Sequence, residues 1–166
     1  KPYESLEQLR GKPVAFASPT STSGHLIPRL DLKKRGLIAK EPVEFFGEGN
    51  VWFGTGYMSG VERVLSGEAE AAAVSDYVFE KDKHMTPEQK NRLRILARQG
   101  PVPTHTLAVS ARLDQAAREK LRDALLEFTS ADPKLCQTVF TSPLVPTKAD
   151  EHLQPIVEAL AIIPQE

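Results

Sequence analysis

The chain contains 166 residues, 40% of them hydrophobic, and 21 basic side chains against 22 acidic ones leave a formal net charge of -1. This size suits one ordinary domain with its own core, and the balanced charge offers no basic surface for nucleic acid or an anionic membrane.

A single cysteine excludes an internal disulfide, and the four histidines lack zinc-site spacing, so we expect no metal. No apolar run approaches the roughly 20 residues that cross a bilayer. The charged opening KPYESLEQLRGK does not look like a signal peptide, although a trimmed exported chain would read the same way.

Strand and helix patterns alternate along the first half of the chain. In order, they predict a short helix at 5–9, a strand at 13–17, a helix at 24–35, a strand at 42–46, a glycine-rich loop at 47–56, a helix at 58–66, a strand at 69–74 and a helix start at 75–81. Gly36 and Gly67 follow two of these helices as C-terminal caps.

The second half is predicted to be more helical. After a helix start at Thr86-Pro87-Glu88, the patterns predict a strand at 93–97, a strand within GPVPTHTLAVS, and helices at 114–129, 132–140 and 150–163. The helix at 114–129 is the most clearly amphipathic, and we expect one stripe of it to be buried: Ala117, Leu121, Leu125 and Phe128. Strands that alternate with helices favour an α/β fold with a largely parallel sheet.

A hydroxyl-rich turn, ASPTSTSGHLIPRL, joins the first predicted strand to the next helix. The first turn of a helix has N–H groups without partners and a partial positive charge, hydroxyls add donors, and glycine permits close approach. A tetrahedral oxyanion would therefore fit over the side chains of Ser21, Thr22 and Ser23 and the N–H groups of Gly24 and His25. The alternative is that Thr22 or Ser23 merely caps the helix.

Other sequence patterns give weaker indications of a ligand, cofactor or catalytic site. GEGNVWFG contains GxG but does not open a helix after the first strand, and no GxxxxGK[ST] loop is present, so we expect no cofactor. Asp76 follows the strand at 69–74, where strand ends face the ligand crevice of an α/β sheet, although it also suits a helix cap. Cys136 lies in an apolar helix and is expected in the core rather than at a catalytic site.

The sequence LRGKPVAFASPTSTSGHLIPRLDLKKRGL resembles the phosphonate- and phosphite-binding proteins of ABC importers, which belong to the type 2 periplasmic-binding-protein class. The resemblance continues in order through GTGYMSGVERVLSGEAEAAAVSDYV, LRILARQGPVPTHTLAVSARL, LRDALLEF and SPLVPTKADEHLQPI. It implies a mostly parallel sheet with flanking helices, a periplasmic or extracytoplasmic location, and the membrane subunits of an ABC transporter as partners.

The resemblance also implies a set of ligand-binding residues: Ser21, Thr22, Ser23, Gly24, His25, Tyr57, Ser75 and Asp76. The three hydroxyl residues match the oxyanion-binding hydroxyls of the family, and His25 stands where an aromatic ring is common. Tyr57 falls where many members have a histidine. Ser75 and Asp76 fall near a polar or acidic contact.

The resemblance implies a second-lobe-like α/β domain with the oxyanion turn at 1–98 and a mainly helical segment of the first lobe at 99–166. The N-terminal part of the first lobe would then be missing. We therefore expect weak binding by this chain alone, and self-association or a partner chain over the apolar face of 114–140.

These observations together predict the solute-binding component of an ABC importer for a small phosphorus oxyanion (a phosphonate, phosphite or phosphate ester) that binds without catalysis. One alternative is a ligand-sensing domain of a signalling protein with the same fold. Another is a related pyrimidine-synthesis-type enzyme, which would need reactive histidine and cysteine near the cleft, whereas Cys136 lies in the distal segment.

Overall fold

The computed structural model describes residues 3–80, 84–138 and 142–161. The chain divides into two compact units. We call the residues up to Pro103, together with those from Leu153 onward, the sheet unit, and Thr104–His152 the helical unit.

The sheet unit contains a three-stranded parallel sheet in the order β2–β1–β3. The strands are β1 at Val14–Phe16, β2 at Val51–Phe53 and β3 at Ala71–Ala72. β1 pairs with both neighbours, so that Val14 lies opposite both Val51 and Ala71. The α/β fold with a parallel sheet and flanking helices is therefore confirmed.

Helices follow the strands in chain order. A 3₁₀ turn at Leu6–Leu9 precedes β1, and a π-helical turn at Thr22–Leu26 runs directly into α1. The α-helices are α1 Ile27–Lys34, α2 Val43–Phe46, α3 Tyr57–Ser66, α4 Asp76–Glu80, α5 Pro87–Asn91, α6 Gln115–Ala131, α7 Pro133–Thr138 and α8 Ala149–Leu160. None of the helices within these described ranges is both long and apolar enough to cross a membrane.

The two faces of β1 are covered by different elements. Val14 and Phe16 lie in the main core cluster, whose other buried members are Leu9, Leu32, Ile38, Phe45 and Phe46. On the other face, the Ala15 side chain lies against Gly60 of α3, where an added Cβ would be 3.6 Å from the Ala15 Cβ. The small residues on that face let α3 pack closely on the central strand.

The predicted strand at 42–46 is wrong, because this segment forms α2. Phe45 and Phe46 are adjacent yet both buried, which a helix packed on the core permits and an alternating strand does not. The Glu44 carboxylate accepts from the N–H groups of Ala39, Lys40 and Glu41 at 2.6, 2.9 and 2.8 Å. These hydrogen bonds lower the pKa of Glu44, led by those involving Glu41 and Ala39.

The predicted loop at 47–56 is also wrong in part, because β2 forms inside it. The strand is aligned by parallel pairing to β1, and hydrogen bonds extend the pairing at both ends. Val14 N–H donates to Asn50 O at 2.8 Å, and Gly54 N–H donates to Phe16 O at 2.9 Å.

The predicted strands at 93–97 and within GPVPTHTLAVS do not form, because neither segment pairs with a strand among the described residues. The helix starts predicted at Thr86 and Asp114 are confirmed, since each side chain accepts from a backbone N–H of the first turn. Parts of three predicted helices, residues 81, 139–140 and 162–163, lie outside the described residues.

The predicted buried stripe of α6 is wrong. Leu121 is 40% exposed and Phe128 is 56% exposed, while Ala117 and Leu125 are half-buried. The buried position of α6 is instead Thr129, one residue beyond the stripe. Its hydroxyl donates to Leu125 O at 2.9 Å and accepts from Leu144 N–H at 3.1 Å, so hydrogen bonds rather than the apolar stripe fix this end of α6.

Candidate functional site

The carboxyl ends of the three parallel strands lie at one edge of the sheet. The segments that leave this edge contain every predicted ligand-binding residue: Ser21–His25 after β1, Tyr57 after β2, and Ser75 and Asp76 after β3. From the central strand the chain crosses first to β2 and then back past β1 to β3. This arrangement creates a topological switch point at β1, which is where open α/β sheets bind ligands.

Ser21 caps the helix that follows β1. Its hydroxyl accepts from Gly24 N–H at 3.1 Å, and its carbonyl accepts from Leu26 N–H at 2.9 Å. The cap is therefore neither Thr22 nor Ser23, and the Gly24 N–H is already occupied. The N–H groups of Thr22, Ser23 and His25 donate to no described residue outside this helix. They are the helix-terminal donors that an anion could bind.

Gly24 is required by packing inside the protein. A Cβ at this position would overlap the Ala17 side chain and lie 2.8 Å from Ser21 Oγ and 3.2 Å from the Tyr57 ring. Gly24 O also accepts from Ala17 N–H at 3.2 Å. The glycine thus lets the helix start lie directly against the end of β1. The sequence pattern had instead suggested that a glycine is needed here for close approach of a ligand.

Hydroxyl and aromatic groups connect the three segments. The Ser23 and Tyr57 hydroxyls are 2.5 Å apart and share a hydrogen bond. The Tyr57 ring packs edge-on to Tyr77 at 5.8 Å between ring centroids, and Tyr77 lies 5.4 Å from the His84 ring. Burial, and the neighbouring Tyr57, raise the pKa of Tyr77, so its hydroxyl stays neutral at physiological pH.

The His25 side chain packs inward. Its Nδ1 donates to Pro19 O at 2.7 Å, and its ring lies edge-on to Phe16 and Phe53 at 5.2 and 4.8 Å. The Nε2 atom is buried without a partner among the described residues. Burial lowers the pKa of His25, the hydrogen bond to Pro19 opposes that effect, and the positive Arg29 adds to it. The His25 ring is therefore part of the packing around the end of β1, and its backbone N–H lies in the first turn of the following helix.

Asp76 supplies an exposed carboxylate after β3. Its Oδ1 accepts from Tyr77 N–H at 2.8 Å and from the Ser75 hydroxyl at 3.3 Å. Ser75 and Asp76 are thus held together at the start of α4, and the Tyr77 ring links them to Tyr57. In the part of the chain that the structure describes, no group of three or more His, Cys, Asp or Glu side chains is placed to hold a metal ion.

Sequence reasoning did not include Phe53 and Tyr77 in the site. Phe53 was missed because its segment was predicted as a loop, so no strand end was expected there. Tyr77 directly follows Asp76 at a predicted strand end, and that position was the signal available for it.

A parallel sheet with flanking helices and a hydroxyl-rich helix start at its switch point has the architecture of an α/β unit of the periplasmic-binding type. Over residues 1–153 the chain matches the family model described as ABC transporter, phosphonate, periplasmic substrate-binding protein, and it belongs to that family. The resemblance seen in the sequence is thereby confirmed.

Two solved structures of one protein are similar to this chain. XAC2383 from Xanthomonas citri bound to ATP is 26% identical, with a TM-score of 0.72 over 98% of this chain and 63% of that one. The same protein bound to chloride ion is 24% identical, with a TM-score of 0.71, covering 98% of this chain and 62% of that one. This chain therefore spans a little less than two thirds of the length of XAC2383.

Proposed function

We propose that this chain is the solute-binding component of an ABC importer and that its ligand is a small phosphorus oxyanion, either a phosphonate, phosphite or phosphate ester. It would act without catalysis outside the cytoplasm and deliver the ligand to the membrane subunits of the transporter. Family membership supports the binding role. The observation that carries the ligand class is the helix start at Ser21–His25, with its first-turn N–H groups and the paired Ser23 and Tyr57 hydroxyls.

The proposed site binds an anion through neutral donors. The sequence STSGH supplies hydroxyls and backbone N–H groups but no lysine or arginine. The Ser23–Tyr57 hydrogen bond can be exchanged for bonds to ligand oxygens, because each hydroxyl rotates and can donate. Charge-assisted bonds of this kind are stronger than the neutral bond they replace.

Asp76 is the proposed acceptor for the O–H of a singly protonated phosphonate or phosphite. A fully ionised sulfate has no such proton and would be repelled by the carboxylate. The eight residues from Ser21 to Asp76 named above form the proposed site.

The lobe assignment is also a proposal: a second-lobe domain over 1–98 and a first-lobe segment over 99–166. The exposed apolar side chains of 104–152, such as Leu107 at 66% and Phe128 at 56%, support self-association or a covering partner.

The test is calorimetric titration with methylphosphonate, 2-aminoethylphosphonate and phosphite, with sulfate as the discriminating anion. Ser23→Ala and Tyr57→Phe each remove one hydroxyl and should weaken binding by about 1 to 2 kcal/mol, or about 5- to 30-fold in Kd. The matched controls are Ser130→Ala, on the exposed face of α6, and Tyr3→Phe, which removes a hydroxyl from a ring that packs against the main core cluster. Sulfate binding as tight as phosphonate binding, or unchanged affinity in both site variants, would contradict the proposal.

A nucleotide is the second candidate ligand. It is favoured by the ATP in the XAC2383 structure and by the exposed rings of Phe53 and Tyr77 at the same edge, since aromatic side chains stack on bases. Including ATP and AMP in the same titrations separates the two candidates.

A further inference from the structure

The His25 ring contacts the turn on which the proposed oxyanion site is built. We propose that His25 is a positioning residue whose Nδ1–H holds the Pro19 carbonyl and so fixes the turn that presents Ser21, Thr22 and Ser23. This inference rests on the proposed function for its ligand, and on the hydrogen bonds of the turn for its geometry.

The tautomer follows from the partner. The Pro19 carbonyl can only accept, so Nδ1 must carry the proton in the 2.7 Å contact. Nε2 of the neutral ring is then a bare acceptor, buried and without a partner among the described residues. Leaving a buried acceptor unpaired is costly. A phenylalanine would fill the same space without that cost, so packing alone does not explain a histidine here.

The ring is anchored to the sheet. Phe16 and Phe53, which pack edge-on against His25, are the last residues of β1 and β2. The hydrogen bond to Pro19 therefore connects the turn to the ends of two paired strands. Proline has no N–H of its own, so its carbonyl is its one backbone group that a side chain can hold.

Two other hydrogen bonds close the turn around this contact. Ser21 N–H donates to Ser18 O at 3.2 Å, and Gly24 N–H donates to Ser21 Oγ at 3.1 Å. Both need the Ser18–Ser21 backbone in its present path. Loss of the His25 contact would free Pro19, loosen both bonds and spread the hydroxyls that the oxyanion site requires.

Two variants separate this contact from packing. His25→Asn shortens the side chain but keeps a donor, Nδ2, where Nδ1 stands. His25→Phe keeps an aromatic ring between Phe16 and Phe53 but has no donor. If His25 only fills space, the Phe variant should keep slower amide exchange in the turn and higher ligand affinity than the Asn variant. If His25 positions the turn, the Asn variant should keep the slower exchange and the higher affinity.

The first readout needs no ligand. Amide hydrogen exchange of Ser21 and Gly24 is measured relative to Ala15 in β1, which corrects for global stability. We expect the relative exchange to rise about tenfold in His25→Phe, the effect of one lost hydrogen bond, and by less than about threefold in His25→Asn. Leu30→Ala, a core truncation in α1, is the control and should leave the relative exchange unchanged.

The second readout is methylphosphonate affinity by calorimetry. We expect binding to weaken about tenfold in His25→Phe and less than about threefold in His25→Asn, even though the Asn variant should be the less stable of the two. Unchanged exchange and affinity in His25→Phe, or losses in both variants that follow stability alone, would overturn the positioning role. If the unmodified chain binds no phosphorus oxyanion, the proposed function fails. The relative amide exchange rates of Ser21 and Gly24 in the two His25 variants still show whether His25 fixes the turn.

Discussion

Replacing Gly24 with alanine should destabilise the sheet unit by about 2 to 4 kcal/mol. The new Cβ would overlap the Ala17 side chain and lie 2.8 Å from Ser21 Oγ. Ala17 is buried at the end of the central strand and cannot move aside cheaply. Overpacking of a closed site costs about 1 to 3 kcal/mol, and displacing the Ser21 hydroxyl from Gly24 N–H removes a helix cap worth about 1 kcal/mol.

Gly60→Ala is the matched control, because it makes the same substitution at another buried helical glycine. There the added Cβ would lie 3.4 Å from the Ala72 Cβ and 3.6 Å from the Ala15 Cβ, which is ordinary contact. Alanine in place of glycine inside a helix is favourable by up to about 1 kcal/mol. The two substitutions should therefore change stability in opposite directions.

The assay is denaturant unfolding followed by the fluorescence of Trp52, the single tryptophan. Trp52 lies on β2 opposite Ala15, so its signal reports on the sheet unit. Gly24→Ala should lower the unfolding midpoint and Gly60→Ala should leave it unchanged or raise it. A Gly24→Ala variant as stable as the unmodified protein would show that the helix start does not lie against Ala17 as described, and would remove the basis for the turn geometry.

Two further predictions concern the core and the pH dependence of the sheet unit. Phe45→Ala should cost about 3 to 5 kcal/mol because the side chain is 2% exposed, whereas Phe128→Ala, at 56% exposure, should cost less than about 1 kcal/mol; equal losses in circular dichroism melts would contradict this burial. Because the pKa of His25 is lowered by burial from its ordinary 6.5, the unfolded chain binds more protons between the lowered value and 6.5, so the free energy of unfolding should rise with pH through that window and level off above it. Unfolding titrations from about pH 5 to 8 should show a smaller rise in His25→Phe, a variant that leaves the nearby ion pair between Arg29 and Glu41 in place. An equal rise in the variant and the unmodified protein would mean that His25 is not held neutral.

Local sequence patterns determined the parts of this protein whose structure depends on near neighbours. The apolar run before the hydroxyl turn forms β1, and Gly67 adopts the left-handed conformation that ends α3. Thr86 and Asp114 each cap a helix through a backbone N–H three residues later. Caps and glycine stops are formed within one helical turn, so their residue types are sufficient to predict them.

The order of segments along the chain also predicted where the site residues lie. Because parallel strands end at a common edge, Ser21–His25 and Asp76 could be placed on neighbouring segments from the sequence, whereas Tyr57 was implied by the family resemblance alone. The family resemblance rested on that same order, and the family match over residues 1–153 confirmed it.

Tertiary structure alone decided which short segments became strands. Val51–Phe53 has too little length for a clear alternating pattern, and it is a strand because β1 supplies parallel hydrogen bonds beside it. PVEFF alternates as a strand should, yet it is a helix because Phe45 and Phe46 both enter the core. Pairing partners and core contacts lie far away in sequence, and therefore local propensity does not contain them.

The inner details of the site were likewise decided by tertiary contacts. No sequence pattern showed that Ser21, among three adjacent hydroxyl residues, would be the cap, or that Gly24 would be needed for contact with Ala17. The inward position of His25 depends on Phe53, which lies on a strand that the local pattern did not reveal. The residue types fixed the chemistry available at this edge of the sheet, while the packing of β1 against β2 and α3 fixed which of those groups remain open to a ligand.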